Sequence, residues 1–156
     1  MRERQRCIVA MGGGGFSTEP DNPLLDQFVV ELASRQRGRR RPTVCYLGTA
    51  SGEQERYAGL FFRITDSFDV GQLAPLTDGL GLLPGSACPH YDGEGRRRPV
   101  YTSLVRDGFP PGIACDDAAA ALYEGTSLVE IVAREPGARA YRVGPGGEEP
   151  LDARLL

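Results

Sequence analysis

Five consecutive apolar residues, Cys7-Ile8-Val9-Ala10-Met11, run straight into four glycines, Gly12 to Gly15. A short apolar run without polar alternation reads as a strand buried on both faces, and the glycines close it in a tight turn. Asn22-Pro23 then supplies an N-cap and a first-turn proline. Leu24, Leu25, Phe28, Val29, Leu32 and Ala33 recur at helical spacing through Gln36, so this helix buries one face. A second apolar strand over 43–47 ends at Gly48-Thr49-Ala50-Ser51-Gly52, and a helix over 53–63 follows with Tyr57, Leu60 and Phe61 on one side. Two strand-then-helix units in succession predict an α/β fold, in three layers, whose mostly parallel sheet is covered on both faces.

After Arg63 the pattern changes. Residues 64–77 are neither helical nor strand-like, and they lead to a further apolar run, Leu80 to Leu83, read as a strand end that Pro84-Gly85 closes. Residues 97–107 read as a helix through Val100, Leu104 and Val105. A strand over 112–115 stops at Asp116-Asp117, and strands over 119–123, 127–133 and 138–143 alternate with turns. Antiparallel hairpin strands at the C-terminus are therefore expected to follow parallel units at the N-terminus. No linker or internal repeat interrupts the 156 residues, which fit a single domain with one core.

Several classes of function are disfavoured. A net charge of -3 argues against a nucleic-acid partner, and the arginine cluster at Arg37, Arg39, Arg40 and Arg41 reads as a solvated helix end. No apolar run approaches the roughly 20 residues that span a bilayer, and the apolar stretch behind the basic N-terminus is too short for a secretory signal, so a cytoplasmic protein is expected. Cys7, Cys45, Cys88 and Cys115 form no C-x-x-C pair, so neither a metal nor a cofactor is expected. Cys88, two residues before the histidine, is an alternative nucleophile or ligand.

The chemistry rests on one histidine. His90 lies in a loop of Pro, Asp and Gly, and it is the side chain whose ordinary pKa lies nearest neutrality. It reads either as a general base or as a group that hydrogen-bonds its own loop. Asp116 and Asp117, at a strand end, offer a carboxylate to orient the imidazole, or ordinary turn chemistry. The glycines at 12–15 offer close backbone approach to a substrate or a simple turn; they match neither the dinucleotide fingerprint nor a P-loop. No serine sits in Gly-x-Ser-x-Gly: Ser17 and Ser127 have only the preceding glycine, and Ser34, Ser51, Ser67, Ser86 and Ser103 have neither.

Taken together, Ile8 to Phe16, Asn22-Pro23-Leu24-Leu25, Thr49-Ala50-Ser51-Gly52, Pro89-His90-Tyr91, Asp116-Asp117 and Glu124-Gly125-Thr126 resemble the peptidase E family over almost the whole chain. The resemblance implies the class I glutamine amidotransferase-like (flavodoxin-like) fold and a serine-type peptidase that acts on small peptides, dipeptides with N-terminal aspartate. It implies that His90 is the catalytic histidine, that Asp117 is the acid with Asp116 as its competitor, and that Gly13, Gly14 and Gly15 lie near the substrate. It also exposes a departure. Between Arg63 and Ile64 the family carries a further strand, a helix and the strand bearing its nucleophilic serine, so roughly 60 to 70 residues of central sheet are expected to be missing here. The expected consequences are a chain without peptidase turnover, Ser86 being the nearest substitute, and an uncovered sheet through which a homodimer or a ligand-binding remnant could form.

Overall fold

In a computed structural model, residues 6–13, 21–37 and 82–156 are described. They fall into two compact units, residues 1–13 with 71–156 and residues 14–70. In the second unit the described element is helix α1, Leu24–Arg37, opened by the Gln27 N–H donating to the Pro23 carbonyl at 2.8 Å. The helical spacing read from the sequence is borne out, although its apolar stripe is buried unevenly. Leu25 is buried, whereas Val29 is 37% exposed. The strand expected over 43–47, the helix over 53–63 and the junction at 63/64 lie outside the described residues.

The first unit contains β1 (Cys7–Met11), β2 (Ser86–Cys88), α2 (Arg97–Arg106), β3 (Gly112–Cys115), β4 (Ala119–Glu124), β5 (Ser127–Ala133), β6 (Ala140–Gly144), β7 (Gly147–Leu151) and β8 (Arg154–Leu155). The fold is α/β, but the described strands form two mixed sheets, in the orders β1-β4-β5-β8 and β2-β3-β6-β7. Among the described strands only β2 with β3 and β5 with β8 pair in parallel. Connection length accounts for this. The β4–β5 and β6–β7 turns span two residues each and can only return the chain antiparallel, as the sequence led one to expect. The long crossover through α2 lets β3 run alongside β2.

One element begins elsewhere than expected. Leu82 and Leu83, the described part of the apolar run over 80–83, are not in a strand, and Leu82 is 64% exposed. The strand starts only beyond Pro84-Gly85, at Ser86, because the partner begins there: the Ser86 N–H donates to the Pro111 carbonyl at 3.2 Å, and Ser86 lies opposite Gly112. A side chain at Gly112 would overlap the Ser86 carbonyl, so glycine is what lets the two strands approach.

Two apolar clusters support the loops at the strand ends. Cys88, Tyr91, Tyr101, Val105, Ala114 and Val143 form one, joining α2 to the second sheet, and Cys115, Ala121, Ile131 and Ala140 form the other. The alanines of β4, Ala119 to Ala121, are completely buried. Their small side chains let the strands flanking them pack closely.

Candidate active site

His90 and Asp117 follow the C-terminal ends of the parallel neighbours β2 and β3. This is the edge where α/β sheets present reactive groups. His90 Nδ1 lies 2.7 Å from Asp117 Oδ1, and both side chains are between a third and two-fifths exposed. When Nδ1 carries the proton it donates to Asp117, leaving Nε2 as an acceptor able to take a proton from a third group.

The backbone around the pair is strained. Among the described non-glycine residues, only His90 (φ 54°) and Ala118 (φ 65°), next to Asp117, have positive φ. Such conformations cost on the order of 1–3 kcal/mol and persist only where their surroundings impose them. Here the His90 N–H donates to the Gly12 carbonyl, the Tyr91 N–H to the Cys115 carbonyl at 3.1 Å, and the Glu94 N–H to the His90 carbonyl at 3.2 Å. On the acid side, the Asp117 N–H donates to Asp92 Oδ1 at 2.8 Å and the Ala119 N–H to the Asp116 carbonyl at 3.2 Å.

Glycine makes room for this arrangement. Gly13, at φ 149°, passes so close that a Cβ there would overlap Asp117 Oδ1 and the His90 ring, and a Cβ at Gly93 would overlap Asp117 Oδ2. Gly12 donates its N–H to the Ala119 carbonyl at 2.8 Å and accepts from His90, tying β1 to both loops. Of the glycines singled out in the sequence, Gly13 is therefore placed against the histidine and aspartate, while Gly14 and Gly15 lie outside the described residues. Asp92 and Gly93 were legible only as loop formers. Nothing in their spacing says that one accepts the Asp117 N–H and the other makes room for its carboxylate.

The geometry separates the two aspartates. Asp116 is only 4% exposed; its backbone N–H donates to the Arg139 carbonyl at 3.0 Å and its Oδ2 accepts the Arg139 N–H at 3.2 Å. Its Oδ1 has no partner among the described residues. Burial, aided by the nearby Asp92 charge, raises its carboxyl to about 6. A folded-state value above the unfolded one means that the native protein binds the extra proton, so stability falls as pH rises from about 4 to 6. Asp116→Asn is expected to abolish that part of the slope, worth about 2 kcal/mol, in urea unfolding between pH 4 and 7; an unchanged slope would assign it to another group.

The alternative nucleophiles are engaged elsewhere. Ser86 Oγ donates its proton to the Pro110 carbonyl at 2.6 Å and so accepts from the Tyr101 hydroxyl, 2.6 Å away. Cys88 is buried, and burial raises its thiol above the ordinary range despite the opposing influence of Arg97. Cys115 is likewise pushed up, to about 12. A buried thiol held protonated is a poor nucleophile.

A paired histidine and carboxylate at strand ends occurs on many folds, so lineage has to come from comparison. The model of Peptidase family S51 matches residues 61–131, which include His90 and Asp117. An uncharacterised peptidase of Bacillus subtilis (strain 168), YgaJ, is 30% identical over 230 residues, covering 96% of this chain and 98% of that protein. The chain belongs to peptidase family S51. No solved structure matches it significantly.

The same alignment measures how this chain departs from its S51 relative. It runs over 230 positions where the chain has 156 residues, so at least 74 positions (230 less 156) of YgaJ have no counterpart here. Because both proteins are covered almost end to end, that surplus is internal, and it exceeds the 60 to 70 residues expected from two βα units. Among the described residues no helix is long and apolar enough to cross a membrane.

Proposed function

We propose that this S51 chain holds the acid–base half of a serine-type peptidase of the peptidase E kind, and that in its present form it does not turn over peptides. The observation that carries the reading is the 2.7 Å contact of His90 Nδ1 with Asp117 Oδ1, built on strained backbone at the sheet edge. In this reading Asp117 orients the imidazole and stabilises its charged form. His90 takes a proton from a nucleophile and returns it to the leaving amine. The glycines from Gly13 to Gly15 lie along the substrate, a small peptide such as a dipeptide with N-terminal aspartate. The missing step is nucleophilic attack. The sequence holds no Gly-x-Ser-x-Gly, and the segment that would bring it is assigned to the junction of Arg63 and Ile64, with the central strands of a three-layer sheet of the class I glutamine amidotransferase-like kind.

The test is a fluorophosphonate probe applied to the purified chain and read by intact mass and peptide mapping. No serine is expected to be labelled. Labelling of any serine, Ser86 included, together with hydrolysis of an aspartyl dipeptide, would show that a nucleophile is present.

A further inference from the structure

The residue after the histidine is held more firmly than the histidine itself. Tyr91 is 1% exposed, in the cluster between α2 and the second sheet. Its hydroxyl donates to Glu148 Oε2 at 2.5 Å, and Glu148, in β7, is gripped by Arg98 of α2, whose Nε lies 3.0 Å and 3.1 Å from the two carboxylate oxygens and whose Nη2 also donates to Oε1. The Arg98 guanidinium stands 5.3 Å from the centre of the Tyr91 ring and 4.6 Å from that of Tyr141. Tyr101 meets Tyr91 edge-on at 6.2 Å, and Tyr141 lies against it at 5.2 Å. Arg98 holds the Glu148 carboxyl below the usual carboxylate range, so the ion pair persists through neutral pH.

This network begins one peptide bond from a φ of 54°. A strained torsion relaxes unless the groups on both of its sides are held, and on the N-terminal side the His90 N–H is held by Gly12. We propose that Tyr91, Glu148 and Arg98 are positioning residues for His90: the tyrosine ring, clamped by the carboxylate and guanidinium, fixes the following side of the histidine so that Nδ1 faces Asp117. The C-terminal β6–β7 hairpin then has a task beyond stability, because it carries the carboxylate that holds the histidine loop 57 residues earlier. The inference rests on the acid–base reading of His90 with Asp117.

His90 is the sole histidine, so a chain labelled with 15N-histidine reports its tautomer without assignment ambiguity. Long-range 1H–15N spectra are recorded at a pH where the imidazole is neutral. In the unaltered chain the Nδ1–H form is expected to dominate. Tyr91→Phe, which keeps the ring and removes only the hydroxyl, is expected to raise the share of the Nε2–H form at least threefold, and Glu148→Gln to do the same. Tyr101→Phe, in the same cluster but bonded to Ser86, is expected to leave the tautomer unchanged. Tyr91→Phe with the unaltered tautomer overturns the clamp, as does an equal change in Tyr101→Phe, which would mean general loosening. Should Tyr91→Phe fail to fold, Glu148→Gln decides on the same spectrum. Asp117→Asn separates the two levels: if it leaves the tautomer as it was, the acid–base reading itself fails; if it switches the tautomer while Tyr91→Phe and Glu148→Gln do not, only the clamp fails.

Discussion

Replacing Gly12 with alanine is expected to lower the free energy of unfolding by about 3 kcal/mol, the upper end of what one added methyl costs in a packed interior. The reason is what the methyl meets. A Cβ at Gly12 would overlap the carbonyl oxygens of Cys115 and Asp116, and backbone groups, unlike side-chain ends, have no rotamer into which to retreat. Relief would require β1 to move away from β3 and its following turn, which breaks the Gly12 bonds to Ala119 and His90. Urea unfolding of the purified variant measures it. A loss below about 0.5 kcal/mol, the range of an ordinary surface substitution, would mean that the strand ends are not packed as described. Gly13 differs in kind: a methyl there meets the side chains of His90 and Asp117, which can rotate, but at φ 149° it also strains the backbone, so the damage falls both on their mutual geometry and on the loop that carries it.

The second large effect concerns activity. With the internal segment of the Bacillus subtilis relative inserted between Arg63 and Ile64, the chain proposed above to lack peptidase turnover is expected to hydrolyse aspartyl dipeptides and to label with fluorophosphonate at a serine of the insert. In that chimera Asp117→Asn is expected to lower kcat by about 10⁴-fold, the cost of presenting the wrong histidine tautomer to a serine nucleophile. The check is steady-state kinetics on the folded chimera and its variant. A chimera that labels and turns over, yet is indifferent to Asp117→Asn, would remove Asp117 from the machinery while leaving the placement of the segment intact. A well-folded chimera that neither labels nor turns over would remove the placement.

Much of the secondary structure was legible because the signals are local. The strand over 127–133 and the helix starting at Arg97 were set by periodicity and turn residues within a few positions. Sheet membership was not, since it depends on which strand is nearest in space. Two strand-then-helix units at the N-terminus suggested parallel pairing, but β1 pairs antiparallel with β4, more than a hundred residues later. The apolar run over 80–83 misled for a related reason: a strand needs a partner in register, and Pro111 and Gly112 provide one only from Ser86 onward.

By itself the sequence determined the inventory of chemistry: one histidine, adjacent aspartates after an apolar run, glycines after the first strand, and no serine in an elbow, because residue types and their short-range spacing are all that such an inventory needs. Only the tertiary structure decided that Asp117 and not Asp116 meets His90, that Gly12, Gly13 and Gly93 are the openings through which backbone and carboxylate approach, and that Glu148 reaches Tyr91 from the far end of the chain. Those outcomes depend on which loops share one edge of the sheets. That sharing is produced by long-range pairing and by the close fit of small residues, which no window of neighbouring residues contains.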